Sequence, residues 1–318
     1  MPDTNPYTQY NTNAGGAMNA HVGAYMAWYE AAVVVYVLAA IAFLAYWAFA
    51  HRAIVRTGAS LAVIGLLCQA ASLGLRWRYS GHVPWNDLYG SLSVVTFAAV
   101  TFFLFFSIRF GIWFAGPLVL GIADALLAYA RGWNKGLEPL VPSLQSPWIL
   151  IHVPVVLCAY SAFLISFATS IVYLLKKRVE DQALHFAGRS VGAAVAAIPP
   201  EAGFVSAPYL RWLDRVPSST KLDVITYRVT AVGEILLTVG IILGALWAHV
   251  SWGTYWQWDP KEDAALASWA VYAAYLHLHT RPSWRGTKAA WVCIAGFVSI
   301  LFCYFAVNIY ISGLHSYK

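Results

Sequence analysis

Apolar residues gather into eight long stretches, near 26–50, 59–75, 88–107, 110–130, 148–175, 228–250, 264–280 and 289–311. Each approaches the ~20 residues that an α-helix needs to cross a hydrocarbon core of about 30 Å. The connections are mostly short. The longest, 176–227, opens with Lys176-Lys177-Arg178 and contains Pro199-Pro200, so it is predicted to be a cytoplasmic loop carrying a surface helix. The segment 1–25 is polar and free of Lys and Arg, which predicts a polar outer terminus without the basic start of a cleavable signal peptide. The pattern predicts an all-α, polytopic integral membrane protein of about eight transmembrane helices, with 1–318 forming a single membrane domain.

Composition agrees, with 60% hydrophobic and only 11% charged residues, a balance outside the range of soluble domains. The formal charge of +6 raises the question of nucleic acid. Its distribution answers it: the basic residues occupy short loops and span ends, where they set topology, so no nucleic acid partner is expected. With the amino terminus outside, 14 of the 20 Lys and Arg fall on the inner side and 6 on the outer. Both termini and the 251–263 loop then face outwards. Cys68, Cys158, Cys293 and Cys303 sit inside apolar stretches without CxxC spacing, so they read as small core residues rather than redox or zinc groups.

Aromatic residues make up 16% of the chain, including 15 Trp, more than interfacial anchoring requires. The surplus concentrates in Trp252-Gly253-Thr254-Tyr255-Trp256-Gln257-Trp258, followed by Asp259-Pro260-Lys261-Glu262-Asp263. Such a run offers a wide flat π surface for a large planar ligand, but it also fits an aromatic anchor belt. Asp259 as N-cap, Pro260 as N1 and Glu262 as N3 spell a helix start. The two readings are compatible, because a rigidly capped seventh helix would hold an aromatic platform in place.

This segment resembles the WWD signature of haem-handling proteins, in the WGxYWxWDPKE form of the CcsA (ResC) family of cytochrome c maturation. The resemblance extends to Gly81-His82-Val83-Pro84 with Leu88-Tyr89-Gly90-Ser91-Leu92, to Leu144-Gln145-Ser146-Pro147-Trp148-Ile149-Leu150-Ile151-His152, and to Val307-Asn308 with Gly313-Leu314-His315-Ser316-Tyr317. It covers about residue 80 to the end. The chain departs from the family pattern at His249-Val250, at Gly90, and at Glu234, which replaces an apolar residue.

Histidine is the commonest protein ligand of iron, and inside a span it is costly enough to suggest function. His21, His51 and His185 lie in polar stretches or at span ends and are set aside; His82 and His249 fit turn or interfacial roles as well as ligand roles. His152, near the outer end of the fifth span, and His315, after the eighth, share the side of the aromatic loop, and the resemblance implies that both ligate haem iron axially. His277 lies eighteen residues beyond Asp259, about 27 Å along a helix, near the inner leaflet. There the resemblance implies a second haem site with His277 as ligand; His279, ~200° away around the helix, would not share it. Glu234 falls at a depth from which it could hydrogen-bond that inner site.

The implied cofactor-binding set is therefore His152, His315, His277, Trp252, Tyr255, Trp256, Trp258, Asp259 and Glu262, with the three histidines on iron and no separate catalytic group. The resemblance further implies a haem carrier and holocytochrome c synthase, with haem b as cargo. Its partners would be a CcsB/ResB-like membrane subunit, an apocytochrome c bearing CxxCH, and membrane lipid. The expected location is the bacterial plasma membrane. The alternatives are a CcmC-like protein delivering haem to a chaperone, or a scaffold or transporter without cofactor. A CcmC-like WWD loop is central, whereas this one lies near the carboxyl end.

Overall fold

The computed structural model describes residues 6–49, 51–137, 144–192, 213 and 216–311. Among them the chain is helical, with no strand: α1 (Pro6–Phe49), α2 (Arg52–Ser80), α3 (Leu88–Phe110), α4 (Gly116–Arg131), α5 (Ile149–Gly192), α6 (Ser219–Trp252), α7 (Pro260–His279) and α8 (Thr287–Leu301). A π-helical turn over Phe302–Ala306 leads from α8 into the short α9 (Val307–Tyr310). Seven of these helices are long and apolar enough to cross a membrane. The remaining long helix, α7, is the least apolar: its first turn carries Glu262 and Asp263, and its last carries His277 and His279. It is nevertheless a full member of the bundle, packed against α6 and α8.

Capping chemistry sets the helix ends. His51 accepts from the Ala53 amide at the start of α2, and Gly81, at φ +74°, closes it in the left-handed conformation. Asp87 caps α3 by accepting from Gly90 N at 2.7 Å, and Gly111 (φ +72°) ends it.

The helices run past the apolar stretches that the sequence marks. α1 starts at Pro6, so much of the predicted polar extension 1–25 is helix. Similarly, α5 runs to Gly192 and α6 begins at Ser219, so both ends of the predicted 176–227 loop are helical. At 1.5 Å per residue α5 is about 66 Å long, roughly twice the hydrocarbon thickness. A charged residue ends an apolar run, but Lys, Arg, Glu and Gln are good helix formers and do not end a helix. The overrun is tied down by polar bonds: Lys176 Nζ donates to Leu213 O (2.8 Å), and Ser219 N donates to Glu180 Oε1 (3.2 Å).

The bundle has two parts joined through α3 and α5. In the first, α1 lays a stripe of Tyr25, Tyr29, Ala32, Tyr36, Ala39 and Phe43 against α2 and α4, spaced four and three residues apart and almost wholly buried. Their hydroxyls are satisfied, as buried polar groups require: Tyr25 donates to Asn134 Oδ1 and Tyr36 to Gln69 Oε1. In the second part α5 and α6 pack closely, because α6 turns Gly233, Gly240 and Gly244 towards Phe163, Val156 and His152 of α5. Gly240 and Gly244 form a GxxxG pair, the small-residue spacing that lets helices approach in lipid.

Candidate functional site

Helix alternation brings the start of α5, the end of α6 and the start of α7 to one end of the bundle, together with the tryptophan-rich loop. A half-open apolar cleft lies there, with about 560 Å³ of empty space including its mouth. Its walls are mainly apolar and aromatic with a few convergent polar groups, the composition of small-molecule and cofactor sites. One face of α5 supplies His152, Val156 and Tyr160; α6 supplies Leu237, Ile241, Gly244 and Ala245; α7 supplies Lys261, Glu262 and Ala265; the loop adds Tyr255 and Trp256.

The imidazole of His152 is held from two sides. Its Nδ1 is 2.8 Å from the Gly240 carbonyl oxygen, and its ring lies parallel to Trp247 (9°) at 6.1 Å. A carbonyl accepts, so Nδ1 carries the proton and Nε2 is left with its lone pair, the tautomer that a metal ligand needs. The approach depends on Gly244. A Cβ there would lie 2.7 Å from His152 Cε1 and 3.0 Å from Nδ1.

The loop aromatics divide by position. Trp252 does not line the cleft; it meets Trp247 edge-on at 4.7 Å and so backs the ring behind His152. Tyr255 lines the cleft and stacks on His249 at 4.2 Å, which gives His249 its place. Trp256 lines it as well, braced edge-on by Trp258 at 6.0 Å. Trp258 itself is 72% exposed and holds a left-handed backbone (φ +56°), a conformation costly for a bulky residue that persists only where its surroundings enforce it. The enforcing element is the cap of α7. Asp259 accepts from Lys261 N at 3.0 Å, while Glu262 Oε2 accepts from Gln257 N (2.9 Å) and Asp259 N (3.3 Å). Asp259 and Glu262 thus form a capping box, and Glu262 also borders the cleft.

His315 lies outside the described residues, as do the side chains of His185 and Asn308. His82 is held locally, Nδ1 3.1 Å from Val83 O. At the other end of the bundle the two α7 histidines separate. His277 is exposed on the helix flank, whereas His279 is buried, with Nε2 2.9 Å from Asp223 Oδ2 and its ring stacked on Tyr227 at 4.6 Å. Glu234 does not bond to either. Its carboxylate is buried and among the described residues both oxygens lack a hydrogen-bond partner, in place of the expected hydrogen bond to the His277 site. The depth estimate compared axial positions only, and the orientation of α6 turns the carboxylate elsewhere.

Sequence reasoning passed over Trp247, Tyr160 and the glycines beneath His152. The GxxxG spacing of Gly240 and Gly244 was the signal available for the last.

The family profile described as Cytochrome C assembly protein matches residues 85–315. The chain belongs to that family. Among curated members of the cytochrome c assembly family, "Cytochrome c biogenesis protein CcsA" of a Synechococcus species is 37% identical over 268 residues, 81% of this chain and 85% of that protein. Its counterpart in Synechococcus elongatus is 35% identical over 302 residues, covering 86% of this chain and 92% of the relative. Among solved structures, "Cytochrome c Heme Lyase CcmF" superposes with a TM-score of 0.61 at 17% identity. The match takes in 90% of this chain but 46% of that one, so the likeness is one of fold. The α1–α2 pair precedes the residues that the assembly-family profile covers.

Proposed function

We propose that this chain carries haem across the membrane and presents it for covalent attachment to apocytochrome c, as the CcsA-like subunit of a holocytochrome c synthase. The observation that carries the reading is the cleft: its apolar and aromatic walls between α5, α6 and the tryptophan loop suit a planar apolar ligand, and His152 has Nε2 free to ligate iron while Gly240 holds Nδ1. The curated relatives named for cytochrome c biogenesis, similar along most of their length, support it.

In this reading His152 and His315 are the axial ligands at the tryptophan-loop end, which faces the outside of the bacterial plasma membrane together with both termini. Tyr255 and Trp256 cover the macrocycle, Trp252 supports His152 through Trp247, and Trp258 forms the rim. Asp259 and Glu262 hold the loop in shape. The cargo is haem b, whose vinyl groups stay open to the cysteines of a CxxCH segment; each thiol adds across a vinyl group to form a thioether. The protein contributes position and the electronic environment of the iron. Haem enters at the other leaflet by His277, whose exposure on the flank of α7 supports a site shared with a CcsB/ResB-like membrane subunit.

Co-expression with a CcsB-type subunit and an apocytochrome, scored by covalent haem, tests the proposal. Expected is haem-stained holocytochrome and a bis-histidine absorption spectrum in the purified chain. A chain without bound haem in the presence of its partner would refute it.

A further inference from the structure

Glu234 is the group that the site description leaves without a task. It lies near the middle of α6, fifteen residues from Ser219 and eighteen from Trp252, and is 7% exposed. Among the described residues neither carboxylate oxygen has a hydrogen-bond partner. The polar side chains at its level are already committed: Trp269 Nε1 donates to Thr238 Oγ1, Thr238 Oγ1 donates to the Glu234 backbone carbonyl, and the Tyr272 hydroxyl donates to Cys293 O. Lys261, the cation of the cleft, belongs to the first turn of α7, about 12 Å along the helix from Trp269. A buried carboxylate with neither a hydrogen bond nor a counter-charge is among the costliest groups that a membrane helix can hold.

Its position on α6 gives it a direction. At about 100° per residue, Ile241 and Ala245 lie within roughly 20° of Glu234 around the helix, and Leu237 and Gly244 within roughly 80°. All four line the cleft. Glu234 therefore continues the cleft-lining stripe of α6 inwards, below the level at which His152 meets Gly240 and Gly244. Six to ten residues separate those levels, or about 9–15 Å.

We infer that Glu234 is the buried counter-charge for the iron that His152 ligates, favouring the cationic ferric state over neutral forms of the same macrocycle. The inference rests on the proposed haem site. A ferric porphyrin core carries one net positive charge; a ferrous core, or zinc(II) in the same ring, carries none. The propionates are common to all three. Over an axial offset of ~12 Å, at an effective dielectric constant of about 20, the ionised form of Glu234 would discriminate ferric from neutral cores by up to about tenfold. The other titratable side chains on this stretch of the bundle include Tyr160 and His152 of α5, Tyr272 and Tyr275 of α7, Cys293 of α8 and Cys303 beyond it, with Tyr255, Lys261, Glu262 and the buried cap Asp259 at the mouth. Asp259 accepts from the Lys261 amide, so among the described residues here Glu234 is the buried acid without a hydrogen-bond partner.

The test titrates the purified full chain with ferric protoporphyrin IX and, separately, with zinc(II) protoporphyrin IX. Glu234→Gln should weaken ferric binding about tenfold, leave zinc porphyrin binding within twofold, and raise the midpoint potential of bound haem; Glu234→Asp should restore most of the ferric preference. Unchanged zinc binding also certifies that the variant is folded. Equal losses for both porphyrins would make Glu234 a structural residue, and no loss for either would show that it has no dealings with the iron; each overturns the inference. Wild-type protein that binds neither porphyrin would instead refute the haem cleft itself, on which the role of Glu234 rests.

Discussion

Gly244→Ala isolates the geometry that makes His152 usable. The added methyl would come within 2.7 Å of His152 Cε1 and 3.0 Å of Nδ1, closer than packed carbons tolerate. Overpacking of this kind costs about 1–3 kcal/mol. Alanine returns about 0.5–1 kcal/mol through its better helix propensity, so the net loss of stability is about 0–2.5 kcal/mol. The cheapest relief is rotation of the imidazole, which forfeits its bond to Gly240 O at about 1 kcal/mol. Protein abundance should thus fall little while His152, the proposed iron ligand, is displaced. The control is Gly233→Ala, eleven residues away on the same helix, where the new methyl meets the Phe163 ring at 2.8 Å and no histidine. Its effect should fall on abundance, with a normal haem spectrum per molecule. Absorption spectra normalised to protein, with covalent haem on a co-expressed apocytochrome, read both variants. A Gly244→Ala protein with wild-type spectrum and maturation would refute the argument, since His152 would then need no glycine to reach its position.

Trp256→Ala should weaken haem binding more than Trp258→Ala, because Trp256 lines the cleft and Trp258 is 72% exposed; equal losses in haem titration would contradict that ranking. Asp259→Ala removes the cap that shapes the loop and should cost about 1 kcal/mol, read as a lower melting temperature, with Asn rescuing more than Ala. His279→Ala leaves Asp223 Oδ2 without its imidazole, while Oδ1 keeps the Gly286 amide, and should lower protein abundance, whereas His277→Ala, on the exposed flank, should keep abundance and deplete haem. His152→Gly should lose the outer haem spectrum and regain it with added imidazole, which can occupy the vacated space; an unaltered spectrum before addition would remove His152 from the ligand set.

Much of this protein was legible in its residues because a membrane imposes local rules. Hydrocarbon solvent requires each crossing segment to satisfy its own backbone, so apolar runs located the helices with no knowledge of their packing. The loop motif named its family, and Asp259-Pro260-Lys261-Glu262 spelled a helix start that the capping box realises. Helix ends escaped the same reading, because Lys176 to Gln182 and the first turns of α6 continue as helix after the apolar run stops. What only tertiary structure decided is which way each side chain turns. Axial depth could place Glu234 near His277, but rotation about α6 carries its carboxylate into line with the cleft and away from hydrogen-bond partners. The same holds for His277 and His279, two residues apart on α7, one exposed and one closed against Asp223 and Tyr227. The His152 imidazole is fixed in place because Gly240, Gly244 and Trp247, some ninety residues along the chain, meet it across the α5–α6 contact. Such contacts are set by the packing of whole helices, a property of pairs of segments that no single segment encodes.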